Sequence, residues 1–179
     1  SPIRRLILND VGAQIPVRGI SRLSKYAGRD PDFSTYEEAK EYLQAIHAEV
    51  GHLSDKQWDK ITRNSIRQVA PNKYITKIDH GIKISPTKSK IAWNMLLHPH
   101  KAFEGTLFDV DLWSTWRKIT CPSLILHGEY SDILVPSIIQ KMQKIHPGTE
   151  SVTIPGVGHA PSLMDLEQQQ LIYDWLMKS

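Results

Sequence analysis

Ser123-Leu124-Ile125-Leu126-His127-Gly128-Glu129-Tyr130-Ser131-Asp132-Ile133-Leu134 and, further on, Ile154-Pro155-Gly156-Val157-Gly158-His159-Ala160-Pro161 decide how this chain is read. The first stretch is an apolar run stopped by glycine. That pattern predicts a buried strand with Asp132 just past its C-terminal end. The second places His159 on a glycine-rich loop after a strand at Ser151 to Ile154. Between them, Pro136 to Ile145 is apolar at helical spacing, and Met164 to Met177 closes the chain as another helix. Strand, helix, strand and helix with short connections predict neighbouring parallel strands. Open parallel sheets gather functional groups outside the carboxyl ends of their strands. An acid and a histidine at one such edge suit a carboxylate that fixes an imidazole tautomer and stabilises the imidazolium formed on proton transfer.

Working outward, Ile3-Arg4-Arg5-Leu6-Ile7-Leu8-Asn9-Asp10 rises at once into an apolar run and stops at Asn9, Asp10 and Gly12, a further short buried strand. Helical patterns follow: Ile20 to Tyr26, then Ala39 to Val50 behind Thr35-Tyr36-Glu37-Glu38, then Trp58 to Val69 behind Ser54-Asp55-Lys56-Gln57. In the last two a hydroxyl residue stands three positions before Glu or Gln, as in a capping box. Successive helices without strands between them predict an all-helical insertion. Lys73 to Ile84 reads as extended, and Ser89 to Leu97 and Asp111 to Lys118 as two more helices. The expected organisation is core strand and turn over 1–15, helical insertion over 16–110, and α/β core over 111–179. No internal repeat or low-complexity tract interrupts it.

The 179 residues are 40% apolar and 23% charged, with 22 Lys and Arg against 19 Asp and Glu. That balance suffices for one folded domain and speaks against disorder. The basic residues are interspersed with acids, and the densest run, Lys83 to Lys90, lacks aromatics, so a solvated loop and no nucleic-acid partner are expected. One cysteine, Cys121, leaves no intramolecular disulfide and no Cys-rich zinc site, which makes a reducing, cytoplasmic compartment the default. No apolar run reaches the length of a membrane span.

In their order and spacing these residues resemble the α/β-hydrolase superfamily, in particular its cap-bearing bacterial esterase-like branch. Leu6 to Gly12 looks like the end of that fold's sixth strand, Leu126 to Leu134 like its seventh strand and acid turn, and Gly156 to Pro161 like its histidine loop. The intervening helices resemble the cap, and Asp111-Leu112-Trp113, Trp116 and Ile119-Thr120-Cys121-Pro122 resemble its return to the core. The resemblance implies an α/β fold, the C-terminal part of a parallel sheet with an inserted helical cap. It also implies a hydrolase of small, largely apolar carboxylic esters or related acyl compounds that needs no metal or organic cofactor. One departure is large. The family's nucleophile sits in a G-x-S-x-G elbow, and no such pentapeptide occurs here. About a hundred upstream residues are therefore expected to carry it, and the chain alone is expected to be inactive. An upstream aspartate in place of serine would instead make the parent a haloalkane dehalogenase or an epoxide hydrolase, and a non-enzymatic assembly module is the reading from another class.

By this resemblance His159 is the catalytic base and Asp132 the favoured acid, with Asp10 the alternative, because some members place the acid after the sixth strand. Without a catalytic role, Asp132 would be an acid facing the helix that begins at Pro136, and His159 a structural histidine. Tyr74 and Trp93 are candidates for an apolar acyl pocket, and Trp58, Trp113 and Trp116 read as packing residues. His47, His52, His80, His98, His100, His127 and His146 lack ligand spacing with carboxylates, so no metal site is expected. A sixth strand without its neighbour would leave the edge of Leu6-Ile7-Leu8 open and one sheet face bare. A homo-oligomer formed through that edge is the expected assembly.

Overall fold

The computed structural model describes residues 3–17, 19, 22, 31–78 and 109–178. Its centre is a three-stranded parallel sheet of β1 (Leu6–Asn9), β7 (Ser123–Gly128) and β8 (Thr149–Ile154), with β7 in the middle. Every residue of β7 is buried. A central parallel strand is covered on both faces, which is why it is written as a continuous apolar run and not as an alternation. Ile125 faces Trp113, Trp116, Leu134, Ile138 and Met142, on α3 (Trp113–Trp116), α4 (Pro136–Ile145) and the turn between β7 and α4. Leu124 and Leu126 face Trp175 on α5 (Leu166–Met177). Each of these side chains contributes about 1.5–3 kcal/mol by leaving water.

The register Leu6↔Ser123 through Asn9↔Leu126 sets the end of β1 level with that of β7, and His127↔Thr153 and Gly128↔Ile154 do the same for β8. Three loops therefore leave the sheet together at one edge, those that begin with Asp10, Glu129 and Pro155. The sequence leads one to expect a bare sheet face, but among the described residues neither face of β1 is bare: the half-buried Leu6 and Leu8 pack with the α3–α4 cluster and Ile7 with the α5 cluster. Arg5 strengthens the second side: its guanidinium lies 5.3 Å from the Trp175 ring and donates to the carbonyls of Trp175 and Lys178, satisfying the open end of α5. On its outer side β1 has no strand neighbour among the described residues.

The insertion corrects the all-helical expectation. It holds α1 (Tyr36–Ile46) and α2 (Asp55–Ser65), but also an antiparallel sheet of β3 (Asp32–Phe33), β5 (Lys73–Thr76) and β4 (Ile66–Ala70). Both helix starts follow the sequence pattern. The Thr35 hydroxyl accepts from the Glu38 amide, and Ser54 with Gln57 forms a complete capping box. The helix expected to run to Val69 ends at Ser65, because Pro71-Asn72 closes a hairpin whose strand begins at Ile66. Asn72 adopts φ +55°, which asparagine tolerates in a tight turn. Similarly, α1 stops at Ile46, short of the expected Val50. The extended Lys73 to Ile84 is a strand only through Thr76. The helix expected from Asp111 is shortened to α3, since Val110–Asp111 (β6) pairs with Gln14–Ile15 (β2) where the insertion leaves and rejoins the core. Almost all of the Ile20 to Tyr26 helix, and the whole of Ser89 to Leu97, Lys83 to Lys90, Trp93, His80, His98 and His100, lie outside the described residues. No helix among the described residues is long and apolar enough to cross a membrane.

Candidate functional site

Asp10, the first residue after β1, is wholly buried and held at φ +53°. Its amide donates to the Leu126 carbonyl at 2.8 Å, so the chain turns while still attached to β7. Aspartate accepts this left-handed conformation more readily than most side chains. The turn directs the carboxylate across the end of β7. There Oδ2 lies 2.9 Å from His159 Nδ1, and Oδ1 accepts the Gly128 amide at 3.0 Å and lies 3.3 Å from His127 Nδ1. Burial pushes the Asp10 carboxyl up, but hydrogen bonds from His159, the Ser131 hydroxyl and the Gly128 amide outweigh it and hold the group below its usual 3.8. A buried charge is tolerated when its acceptor positions are filled in this way.

The hydrogen bond expected between Asp132 and His159 gives way to this one. Asp132 is occupied by Arg22 of the insertion, whose Nε and Nη2 each donate to one of its oxygens at 2.8 Å. Those hydrogen bonds hold the Asp132 carboxyl below its usual value. The physical reason for the exchange is position. Asp10 meets the imidazole at the end of β7, whereas Asp132 follows the Ser131 turn and meets Arg22 of the insertion. Its side chain is 32% exposed against none for Asp10, so the Arg22 pair contributes only about 0.2–1 kcal/mol.

The histidine loop is fastened on three sides. Tyr130 donates its amide to the Val157 carbonyl at 2.9 Å, and the Gly156 amide donates to Glu129 Oε2 at 2.8 Å. Asn9 Nδ2 donates to the Pro161 carbonyl at 3.0 Å, and from the insertion the Glu49 carbonyl accepts the Gly158 amide at 2.7 Å. Two glycines permit this closeness. A Cβ on Gly128 would overlap the Gly158 carbonyl oxygen, and one on Gly158 would lie 2.6 Å from Glu49 Oε2. With Nδ1–H directed at Asp10, the basic nitrogen left to His159 is Nε2, on a side chain 21% exposed. The arrangement can therefore take up a proton at Nε2 and stabilise the resulting imidazolium against a buried carboxylate.

Of the pocket candidates, Tyr74 is half-buried on β5 and packs with Phe33, Ala39, Leu43 and Ile66, the insertion's own core; Trp93 lies outside the described residues. Among the described residues no group of three or more His, Cys, Asp or Glu side chains is arranged to hold a metal ion. A cleft of about 390 Å³ lies between His52 and Gly51 on one side and β8 and the start of α5 on the other; neither Asp10 nor His159 lines it.

The depressed carboxylates have a consequence for stability. A carboxylate with a lowered native pKa adds stability that is fully present above its unfolded value and lost as pH falls through the native one. For Asp10 and Asp132 that loss begins near 3.8 and extends below it. Burial pushes His47 below its usual 6.5, so its contribution declines earlier, as pH falls through 6.5. The urea midpoint should thus decline in two stages on acidification. Asp132→Asn should differ from wild type by a roughly constant amount above about pH 5, and the difference should shrink progressively as pH falls below about 4. A difference independent of pH down to pH 2 would remove the assigned role of the Arg22 pair.

No protein-family model matches the chain. It is similar to the 3-hydroxybutyrate-oligomer hydrolase of Cupriavidus necator, 29% identical over 168 residues that cover 94% of this chain and 55% of that protein. Among solved structures it is similar to a Rickettsia typhi protein designated a hydrolase, with a TM-score of 0.79 and 33% identity over 99% of this chain and 55% of that one. It is also similar to an α/β hydrolase from Novosphingobium aromaticivorans, with a TM-score of 0.73 and 27% identity over 97% of this chain and 56% of that one. The chain thus spans little more than half the length of each.

Proposed function

Because this chain belongs to the α/β-hydrolase superfamily, we propose that it supplies the acid–base half of an enzyme that hydrolyses small, largely apolar carboxylic esters, short aliphatic oligoesters among them. The observation that carries the proposal is the 2.9 Å contact between His159 Nδ1 and the buried Asp10 carboxylate. Similarity to a hydrolase of 3-hydroxybutyrate oligomers supports the oligoester substrate.

In this reading a nucleophile outside these 179 residues attacks the ester carbonyl. His159 Nε2 takes the nucleophile's proton, then delivers it to the departing alcohol, and in the second half-reaction takes a proton from the attacking water. Asp10 stays ionised throughout. It holds the ring in the Nδ1–H tautomer and stabilises the imidazolium. Asp132, paired with Arg22, fastens the insertion beside the histidine loop.

The test is hydrolysis of 3-hydroxybutyrate dimer and trimer and of p-nitrophenyl butyrate by the whole polypeptide that contains this chain and by residues 1–179 alone. Saturable ester hydrolysis by the former, with only imidazole-level background from the latter, is expected. Turnover of epoxides or haloalkanes without ester hydrolysis would replace the proposal.

A further inference from the structure

The Asp10 carboxylate holds a second imidazole, and no step of the proposed chemistry uses it. We infer that His127 is a positioning residue for His159. It donates its Nδ1–H to Oδ1 of the carboxylate whose Oδ2 holds His159, and so sets how strongly Asp10 attracts the proton on that ring. The inference rests on the Asp10–His159 pairing proposed above and goes beyond it.

Geometry supports it first. The two contacts, 3.3 Å to His127 and 2.9 Å to His159, fall on different oxygens of one wholly buried carboxylate. An ionised carboxylate accepts only, so the His127 nitrogen that faces it is the protonated one. This fixes the tautomer as Nδ1–H with Nε2 bare. Placement supports it next. His127 lies two residues after Ile125 on a strand buried throughout, and side chains two apart share a face. An aliphatic residue would fill that place at no polar cost. A 4%-exposed histidine there has to be hydrogen-bonded to be tolerated, and Asp10 Oδ1 supplies that bond.

Charge supplies the consequence. The Gly128 amide and the His127 N–H both draw negative charge toward Oδ1, and the Ser131 hydroxyl adds a further donor. Removing one of these donors leaves more charge on the carboxylate, so the His159 imidazolium becomes more stable and protonates at higher pH. The other charged groups around this edge are Asp132 with Arg22, Glu49 and Glu129. None of them is altered by a substitution at His127.

The test follows the His159 Cε1–Hε1 resonance through a pH titration in wild type, Asp10→Asn, His127→Leu and His127→Asn. An asparagine amide places an N–H near the position of Nδ1, so it is the conservative rescue. Asp10→Asn should lower the His159 midpoint by about one unit or more, His127→Leu should raise it by about half a unit to one unit, and His127→Asn should return it toward wild type. A lowered midpoint in Asp10→Asn with no movement in His127→Leu would overturn the role of His127 and leave the pairing intact. No movement in Asp10→Asn would overturn the pairing itself, and the inference with it. Equal losses of thermal stability in both His127 variants with an unmoved His159 midpoint would reduce His127 to packing. If His127→Leu does not fold, the wild-type imidazole nitrogen shifts still decide: the Nδ1–H tautomer at His127 is required, and an Nε2–H tautomer would overturn the inference.

Discussion

Asp10→Asn should lower kcat/KM for ester hydrolysis by the enzyme containing this chain by about four orders of magnitude, whereas Asp132→Asn should lower it by no more than about tenfold. The asparagine fills the same space but cannot remain an anion. Its amide group also invites the wrong histidine tautomer, with the proton on Nε2, where the base must be bare. Four orders of magnitude correspond to about 5.4 kcal/mol of lost transition-state stabilisation, as expected for a wholly buried carboxylate 2.9 Å from the ring. His159→Ala should cost at least as much, and the double variant little more than either alone, because groups that act as a unit are strongly non-additive. Asp132 stands in a different position. Its partner is Arg22, the pair is partly solvated, and its loss loosens the insertion while the hydrogen-bonded counter-charge of Asp10 to His159 stays in place. The four rate constants can be read in one assay with 3-hydroxybutyrate trimer. A larger loss for Asp132→Asn than for Asp10→Asn would restore Asp132 as the acid.

Gly128→Ala is expected to have the largest effect on structure. The added methyl would overlap the Gly158 carbonyl oxygen and lie 2.8 Å from that of Val157, both backbone atoms that cannot rotate away. Relief requires the histidine loop to lift from the end of β7. That movement strains the Tyr130–Val157, Gly158–Glu49 and Asp10–His159 contacts together. Overpacking of this kind costs about 1–3 kcal/mol, and activity should fall further because His159 is moved from its carboxylate. The urea midpoint and the His159 Nδ1–H proton resonance report the two effects separately. An unchanged midpoint with the downfield imidazole proton still present would mean that the loop accommodates a side chain at 128. Gly156, whose added Cβ would meet nothing within 4 Å but whose φ is +70°, should show only the backbone penalty, on the order of 1 kcal/mol.

Much of this was legible from residue order. Leu124 to Leu126 reads as a buried strand, because a short apolar run between Pro122 and Gly128 has the length of a strand and not of a helix. With a helix to Ile145 and a second strand ending at Ile154, parallel neighbours followed. Thr35 and Ser54 announced two helix starts through hydroxyls that accept amides three residues on. His159 stood out by the glycines around it. The Ile66–Ala70 strand was missed for a local reason, since its residues continue the α2 pattern and only Pro71-Asn72 argues for a hairpin.

What the sequence by itself determined, then, was the existence of the three parallel strands and a histidine at their carboxyl edge. Those depend on hydrophobic periodicity and on short-range hydrogen bonds. Only the tertiary structure decided which acid meets that histidine. Asp132 is 27 positions from His159 and Asp10 is 149, so distance along the chain does not select the carboxylate that the imidazole bonds. The hydrogen bond is set by register: Asn9 pairs with Leu126, which brings the left-handed turn at Asp10 over the end of β7, while Asp132 pairs with Arg22 of the insertion. The same register joined His127, which has no distinguishing sequence context, to that carboxylate. Burial then made the difference in strength, because a carboxylate excluded from water and supplied with hydrogen-bond donors acts on an imidazole far more strongly than one that shares its charge with an arginine and solvent.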